Sequence, residues 1–444
     1  MSAQNHSGKP IRLNLFAFAC GHHAAAWRAP DSSVGRLGDI TYWERLARIA
    51  ERGKLDAIFL ADGQSAGLGA VGSGPLWFLE PLTTLTAMAR ATENIGLVTT
   101  VSSTFWSPFH AARLLASLDH ISGGRAGANV VTSMTDDEAR NHGMDRLPDH
   151  DERYERAAEF IDVLLRLWDS WPADAITADP AGSYLDESRL RAVDHAGKSF
   201  SVAGPLNVPQ SPQGRPALFQ AGASQPGRQL AARYADGIYA VAWDAETAQD
   251  YRSDVLSRAE ALGRSRSEIA VLPGLVTYVA STEREAKQQQ RALNELLPTR
   301  DSLDQLSFFV GVDTSDWDLD ARVPPLAPLE EFTGPKGRYA TVLRIIETAR
   351  PTVRELLGYL AAGGGHATFI GTPEGIADEI ERWVDTGAAD GFNLMPPTLP
   401  GGIENFVDHV VPVLQRRGRF RRDYEQRTLR ARLAGVSDPP LNRR

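Results

Sequence analysis

Cysteine is nearly absent: Cys20 is the only one in 444 residues. An intrachain disulfide is therefore excluded, as is a metal site built from several thiolates. No stretch reaches the roughly 18 unbroken apolar residues expected of a membrane-spanning helix. The opening MSAQNHSGKP lacks the apolar core of a signal peptide, so a cytoplasmic location is the expectation. Positive charge is not in excess either. The 47 Lys and Arg against 56 Asp and Glu leave a formal net charge of -9, which argues against a nucleic-acid partner, because neutralising phosphate needs clustered cations. Ten histidines show no HExxH or similar ligand spacing, and no GxSxG elbow occurs. A zinc enzyme or serine hydrolase is unsupported, and no metal site is expected. Internal repeats and low-complexity tracts are missing as well.

What is present is alternation. Short apolar runs span Ile11 to Ala19, Leu55 to Ala61, Ile95 to Thr100, Arg125 to Thr132, Ala217 to Ala221, Gly237 to Ala242, Ile269 to Val279, and Gly391 to Leu394. Continuously apolar runs suit parallel strands buried on both faces. Between them lie helical patterns, among them Tyr42 to Arg52, Pro81 to Ala91, Ala111 to Ser117 and Gln229 to Tyr234. Eight strand-helix alternations favour a (β/α)₈ barrel over an open sheet. The chain is read as one domain over 1–444, with insertions at about 133–215 and 280–390. The first insertion holds a strong helix over Asp151 to Trp168; the second holds helices near Glu283 to Leu297 and Tyr339 to Leu360, then the Gly363-Gly364-Gly365-His366 segment. Stretches this long are usually lids or binding loops, and 297–370 is the expected lid.

Two apparent cofactor motifs are set aside. Gly67 to Gly72 matches GxGxxG, but that motif needs a strand just before it and a helix starting inside it; here the glycines run into Gly74, Pro75 and Pro81. Gly197-Lys198-Ser199 resembles the end of a P-loop, yet position 192 is alanine. Polar residues ending the apolar runs are more informative, because strand C-termini of a barrel face its active site. They are Asp62, Thr100, Asn129 and Thr132; each alone could equally be a cap or turn residue. Ala221-Gly222-Ala223-Ser224 opens a helix, where small residues and the helix N-terminus favour an anion, although Ser224 could simply be an N-cap. His150 and Tyr154 stand four apart on one helical face, available to a phosphate or ring carbonyl, or merely packed on the barrel.

Long segments in order resemble the nitrilotriacetate monooxygenase component A family of luciferase-like flavin monooxygenases. They are GHHAAAWRAP (21–30), ERGKLDAIFLAD (51–62), ASLDHISGGRAGANVVTS (116–133), HDERYERAAEFIDVLLRLWDS (150–170), GPLNVPQSPQGRPALFQAGAS (204–224), GTPEGIADEIERWVDTGAADGFNLMPPTLP (371–400) and the tail at 410–433. The resemblance implies a two-component monooxygenase on a luciferase-like barrel. It would receive reduced FMN from a separate NAD(P)H-dependent flavin reductase and oxygenate a small organic substrate through a flavin hydroperoxide. It also implies FMN contacts from Asp62 and Thr100 near the ring, from His150, and from Tyr154 and Ser224 at the phosphate. His23, in the GxHxxxW segment, is implied near the pocket as a candidate catalytic residue, and a homodimer or homotetramer is implied. Aminopolycarboxylates, organosulfur compounds and secondary-metabolite intermediates are the implied substrate classes. Met134 stands where the alkane-oxidising relative has a histidine, which speaks against an alkane-type mechanism. A deazaflavin-dependent oxidoreductase and a non-catalytic flavin carrier are the alternatives.

Overall fold

The computed structural model describes residues 9–66, 74–75, 79–332 and 336–438; the glycine run 67–72 lies outside them. Its main sheet has nine strands: β1 (Arg12–Ala17), β2 (Ala57–Leu60), β3 (Gly96–Ser102), β4 (Ala126–Val131), β5 (Ala217–Gln220), β6 (Gly237–Ala240), β7 (Ala270–Val279), β8 (Ala367–Gly371) and β9 (Gly391–Leu394). Every pairing among them is parallel. Neighbours run β1-β2-β3-β4-β5-β6-β7-β9 and back to β1, a closed barrel of eight strands.

β8 is the strand missing from the apolar runs. Leu275 of β7 pairs with Leu394 of β9 on one side and Ala367 of β8 on the other. β8 thus takes over the flank of β7 where β6 ends, since β6 pairs only with Ala270 to Pro273. With one neighbour and three half-buried central residues, β8 lacks the continuous burial that marks the other strands.

The helices between strands start on caps. Asp39 accepts from the Thr41 amide ahead of α1 (Ile40–Arg52), and Glu80 caps α2 (Pro81–Ala91), with proline in its first turn. α3 (Pro108–Ser122) packs against a long helix, α5 (His150–Asp169), that follows the short α4 (Asp136–Asn141). α5 also touches α6 (Gln225–Tyr234), so residues 133–215 contain one of the barrel's own outer helices. α7 (Ala245–Ala261) completes this side. Between β7 and β9 come α8 (Glu283–Asn294), α9 (Thr299–Val310), α10 (Lys336–Ala349), α11 (Val353–Ala361) and α12 (Pro373–Asp385). The single helix expected over Tyr339 to Leu360 is two. Pro351 cannot donate a backbone hydrogen bond, and Thr352 restarts the helix with a capping box to Glu355. α9 to α11 share a small apolar core around Leu306, Tyr339, Ile345 and Leu356.

Arginines and a plug close the barrel's N-terminal end. Leu429, on the short helix Leu429–Ala434, reaches into the barrel beneath Gly96 and Gly127. Buried Arg432 donates to the carbonyls of Asp56 and Asn94, Arg421 pairs with Asp56 at 2.7 Å, and Arg215 pairs with Asp236 at 2.8 Å. The arginine-rich tail therefore serves the fold; in such barrels chemistry sits at the other end. No helix among the described residues is long and apolar enough to cross a membrane.

Candidate active site

At the C-terminal end of the barrel, strand period two decides which side chains face inward. Phe16 of β1, Phe59 of β2, Tyr239 of β6 and Met395 after β9 converge in one inner cluster. The Phe16 ring lies 4.7 Å from Phe59 and 5.3 Å from Tyr239. His22, in the loop after β1, meets Phe16 edge-on at 4.5 Å and shares a hydrogen with the Phe16 carbonyl through Nε2 at 2.9 Å. His366, just before β8, sets Nε2 2.8 Å from the Tyr239 hydroxyl, which also lies 3.1 Å from Met395 Sδ. Burial drives the His22 pKa down to about 4. Burial, helped by the Arg338 charge, takes His366 to about 3, and burial raises the Tyr239 hydroxyl. The barrel mouth is thus an aromatic wall carrying neutral polar groups.

Beside it, strand ends form an arc from β2 to β5. Thr100 Oγ1 donates to the Leu60 carbonyl at 3.0 Å, which joins β3 to the last residue of β2, two positions before Asp62. Burial raises the Asp62 carboxyl, as do the nearby Glu80 and Glu138, while a hydrogen bond from Gln64 lowers it. Next in register stands Asn129, opposite Thr100. Its Oδ1 is buried with no hydrogen-bond partner among the described residues, an acceptor at a barrel's active end that invites a donor. Gln220 of β5 then donates to the Val130 carbonyl and takes the chain to Gly222.

At Gly222 the arc meets α5 and α6. Ser224 is the N-cap of α6, its Oγ accepting from the Gly227 amide at 3.3 Å. That bond uses an acceptor lone pair and leaves the hydroxyl proton free. A Cβ on Gly222 would stand 2.7 Å from Gly227 Cα and 2.9 Å from the Tyr154 hydroxyl; only glycine lets these backbones and the phenol meet. Tyr154 and His150 share a face, rings 4.9 Å apart, and Asp149 occupies the N-cap position of α5. Two hydroxyls whose protons have no acceptor among the described residues, a half-exposed imidazole and the first amides of a helix make a corner that favours an anion.

The structure therefore gathers His150, Tyr154 and Ser224 in one corner and places Asp62 and Thr100 on adjoining strand ends. His23 differs. It is buried, Nδ1 accepts from the Ala25 amide at 3.1 Å, and Nε2 lies 3.0 Å from Asn294 Oδ1. Both nitrogens are engaged in tying the loop after β1 to the end of α8, so His23 positions this loop. Its neighbour His22 faces the aromatic wall. Phe16, Phe59 and Tyr239 lie inside apolar runs, where nothing in the sequence marks them as site residues; Met395 directly follows such a run, and His22 and His366 lie in loops.

A model of the luciferase-like monooxygenases matches residues 15–390. The chain belongs to that family. It is 43% identical to N-acetyl-S-(2-succino)cysteine monooxygenase of Bacillus subtilis over 437 residues, 98% of each chain. It is 42% identical to nitrilotriacetate monooxygenase component A of Aminobacter aminovorans over 446 residues, again 98% of each. Among solved structures, a riboflavin lyase crystallised with modified FMN and riboflavin superposes with a TM-score of 0.85 at 31% identity, covering 98% of both chains. The protein is accordingly a flavin-dependent monooxygenase on a (β/α)₈ barrel, and neither hydride transfer by a deazaflavin nor a carrier role is needed.

Proposed function

We propose that this chain is the oxygenase component of a cytoplasmic two-component system. It takes reduced FMN from a separate NAD(P)H-dependent flavin reductase and inserts one atom of dioxygen into a small organic molecule, working as a homodimer or homotetramer. Aminopolycarboxylates and carboxylated thioethers are the favoured substrates, in line with the activities of the relatives at 43% and 42% identity. The observation that carries this reading is the cradle of Tyr154, Gly222 and Ser224, joined by an arc of strand ends to a buried aromatic mouth.

The residues present fit the cofactor. Tyr154, Ser224 and the first amides of α6 would hold the phosphate, with His150 beside them. Thr100, Asp62 and the unpartnered Asn129 Oδ1 would meet the polar edge of the ring, and Phe16, Phe59 and Tyr239 its apolar surroundings. When bound, the reduced flavin supplies the activation of dioxygen. The chain's own part is orientation and exclusion of water and stray protons. Neutral His22 and His366 suit that task, since imidazoles with pKa values of about 4 and 3 offer no acidic proton near pH 7. The test is fluorescence titration with FMN, followed by oxygen uptake with NADH and a generic flavin reductase over a substrate panel. Micromolar or tighter binding and substrate-dependent uptake are expected; no flavin binding overturns the reading.

A further inference from the structure

The arginines between α8 and β8 are not equivalent. Arg344 pairs with Asp244, Glu246 and Glu347, and Arg354 with Asp320. Arg322 donates to the Arg350 carbonyl. Arg338, in the first turn of α10, pairs with no carboxylate among the described residues. One guanidinium nitrogen donates to the Gly364 carbonyl at 2.8 Å, and the group lies 5.6 Å from the centre of the Phe309 ring. Gly364 is two residues from His366, whose ring contacts Tyr239 of the aromatic wall. At Gly364 φ is +71°, and a Cβ there would stand 2.0 Å from the Arg338 guanidinium. Glycine is what lets this cation lie against the loop at the rim of the mouth. Its charge is felt by the two wall residues, lowering the pKa of both His366 and Tyr239 against the larger effect of burial on the latter.

A guanidinium beside buried neutral groups, with several donors left over, is the planar fork that carboxylates accept. We propose that Arg338 is a specificity-determining residue that binds a carboxylate of the substrate at the rim of the barrel mouth. The assignment rests on the mouth being the active site, and it commits the substrate to an anionic end directed at α10. Tyr239 and His366 then line the passage between that end and the reacting atom. Arg338 also holds the Gly364 loop, so a loss of activity alone would not separate recognition from support.

The experiment compares wild type, Arg338→Gln and Arg338→Lys, each loaded with FMN. Binding of nitrilotriacetate and N-acetyl-S-(2-succino)cysteine, and of their methyl esters, is measured by calorimetry, and KM and kcat are taken for any probe turned over. Arg338→Gln keeps a donor for the loop but loses the charge. It should weaken binding of the acids about ten- to one-hundred-fold, from the strength of hydrogen bonds to charged groups, through KM with kcat little changed. The esters should bind the variant and wild type alike, and Arg338→Lys should recover part of the loss. Equal losses for acids and esters, unchanged acid binding, or a wild type that binds none of the acids overturns the proposal. Failure of FMN itself to bind would instead strike the functional reading, and is scored first.

Discussion

Removing the Tyr154 hydroxyl isolates the proposed phosphate corner. The phenol makes no hydrogen bond among the described residues and points at the bare backbone of Gly222, where even a Cβ would come within 2.9 Å of it. Replacing it by Phe leaves the ring packing against His150 and the barrel, so the fold should be untouched. A hydrogen bond to a charged group is worth about 1.5–3 kcal/mol, which corresponds to a rise of about ten- to 150-fold in the Kd for FMN. Riboflavin carries the same ring without the phosphate. In parallel fluorescence titrations, Tyr154→Phe should weaken FMN by that factor and leave riboflavin unchanged, bringing the two affinities closer. Equal weakening of both ligands would place the hydroxyl at the ring or in the fold. An unchanged Kd for FMN would remove the phosphate assignment.

Three further outcomes follow from the same structure. Gly222→Ala should force Gly222 and Gly227 apart at a cost of about 1–3 kcal/mol from overpacking, lowering FMN affinity more than riboflavin affinity; equal affinities to wild type would show that the cradle is not close-packed. Leu429→Ala, which empties the plug at the far end of the barrel, should cost about 2–5 kcal/mol in denaturant unfolding without changing FMN affinity, and a shift in flavin affinity would contradict the separation of the two ends. His22 and His366 are held neutral, so the unfolded chain binds more protons than the folded one as pH falls below about 6.5, the ordinary value for histidine. Stability should therefore fall from there towards about 4 and 3 respectively, by at most about 1.4 kcal/mol per pH unit for each ring; His366→Gln should flatten that slope, and an unaltered slope would mean that the ring is not held neutral.

Much of the barrel was legible because strands buried on both faces read as largely apolar runs, and six of the seven connections between successive barrel strands carry a helix pattern or an insertion; the one over α7 carries neither. The same property hid half of the site. Gly237–Ala240 is apolar or aromatic throughout, and Phe16 stands among Leu13, Leu15 and Ala17, so nothing in either run tells which side chains face the barrel axis, and Tyr239 and Phe16 read as core. His366 was hidden for another reason: β8 has one neighbour and half-buried residues, and without that strand the Gly363-Gly365 run looked like free loop. The phosphate corner was legible because it is built locally, from a helix start and a small-residue turn. His23 was drawn in by its segment; its neighbour takes the place at the wall because the Ala25 amide and Asn294 occupy both His23 nitrogens. Close approach of Arg338 to Gly364 depends on α10 packing against the loop before β8, a contact between helix and loop that no spacing encodes.

The central event of the proposed reaction is transfer of an oxygen atom from dioxygen to substrate at this barrel mouth. Wild-type protein, FMN, NADH and a flavin reductase under ¹⁸O₂, with N-acetyl-S-(2-succino)cysteine and nitrilotriacetate as substrates, test it by mass spectrometry. One ¹⁸O atom incorporated per turnover of at least one of them is the predicted result. Oxygen recovered wholly as hydrogen peroxide with both, or product oxygen drawn from water, would contradict it.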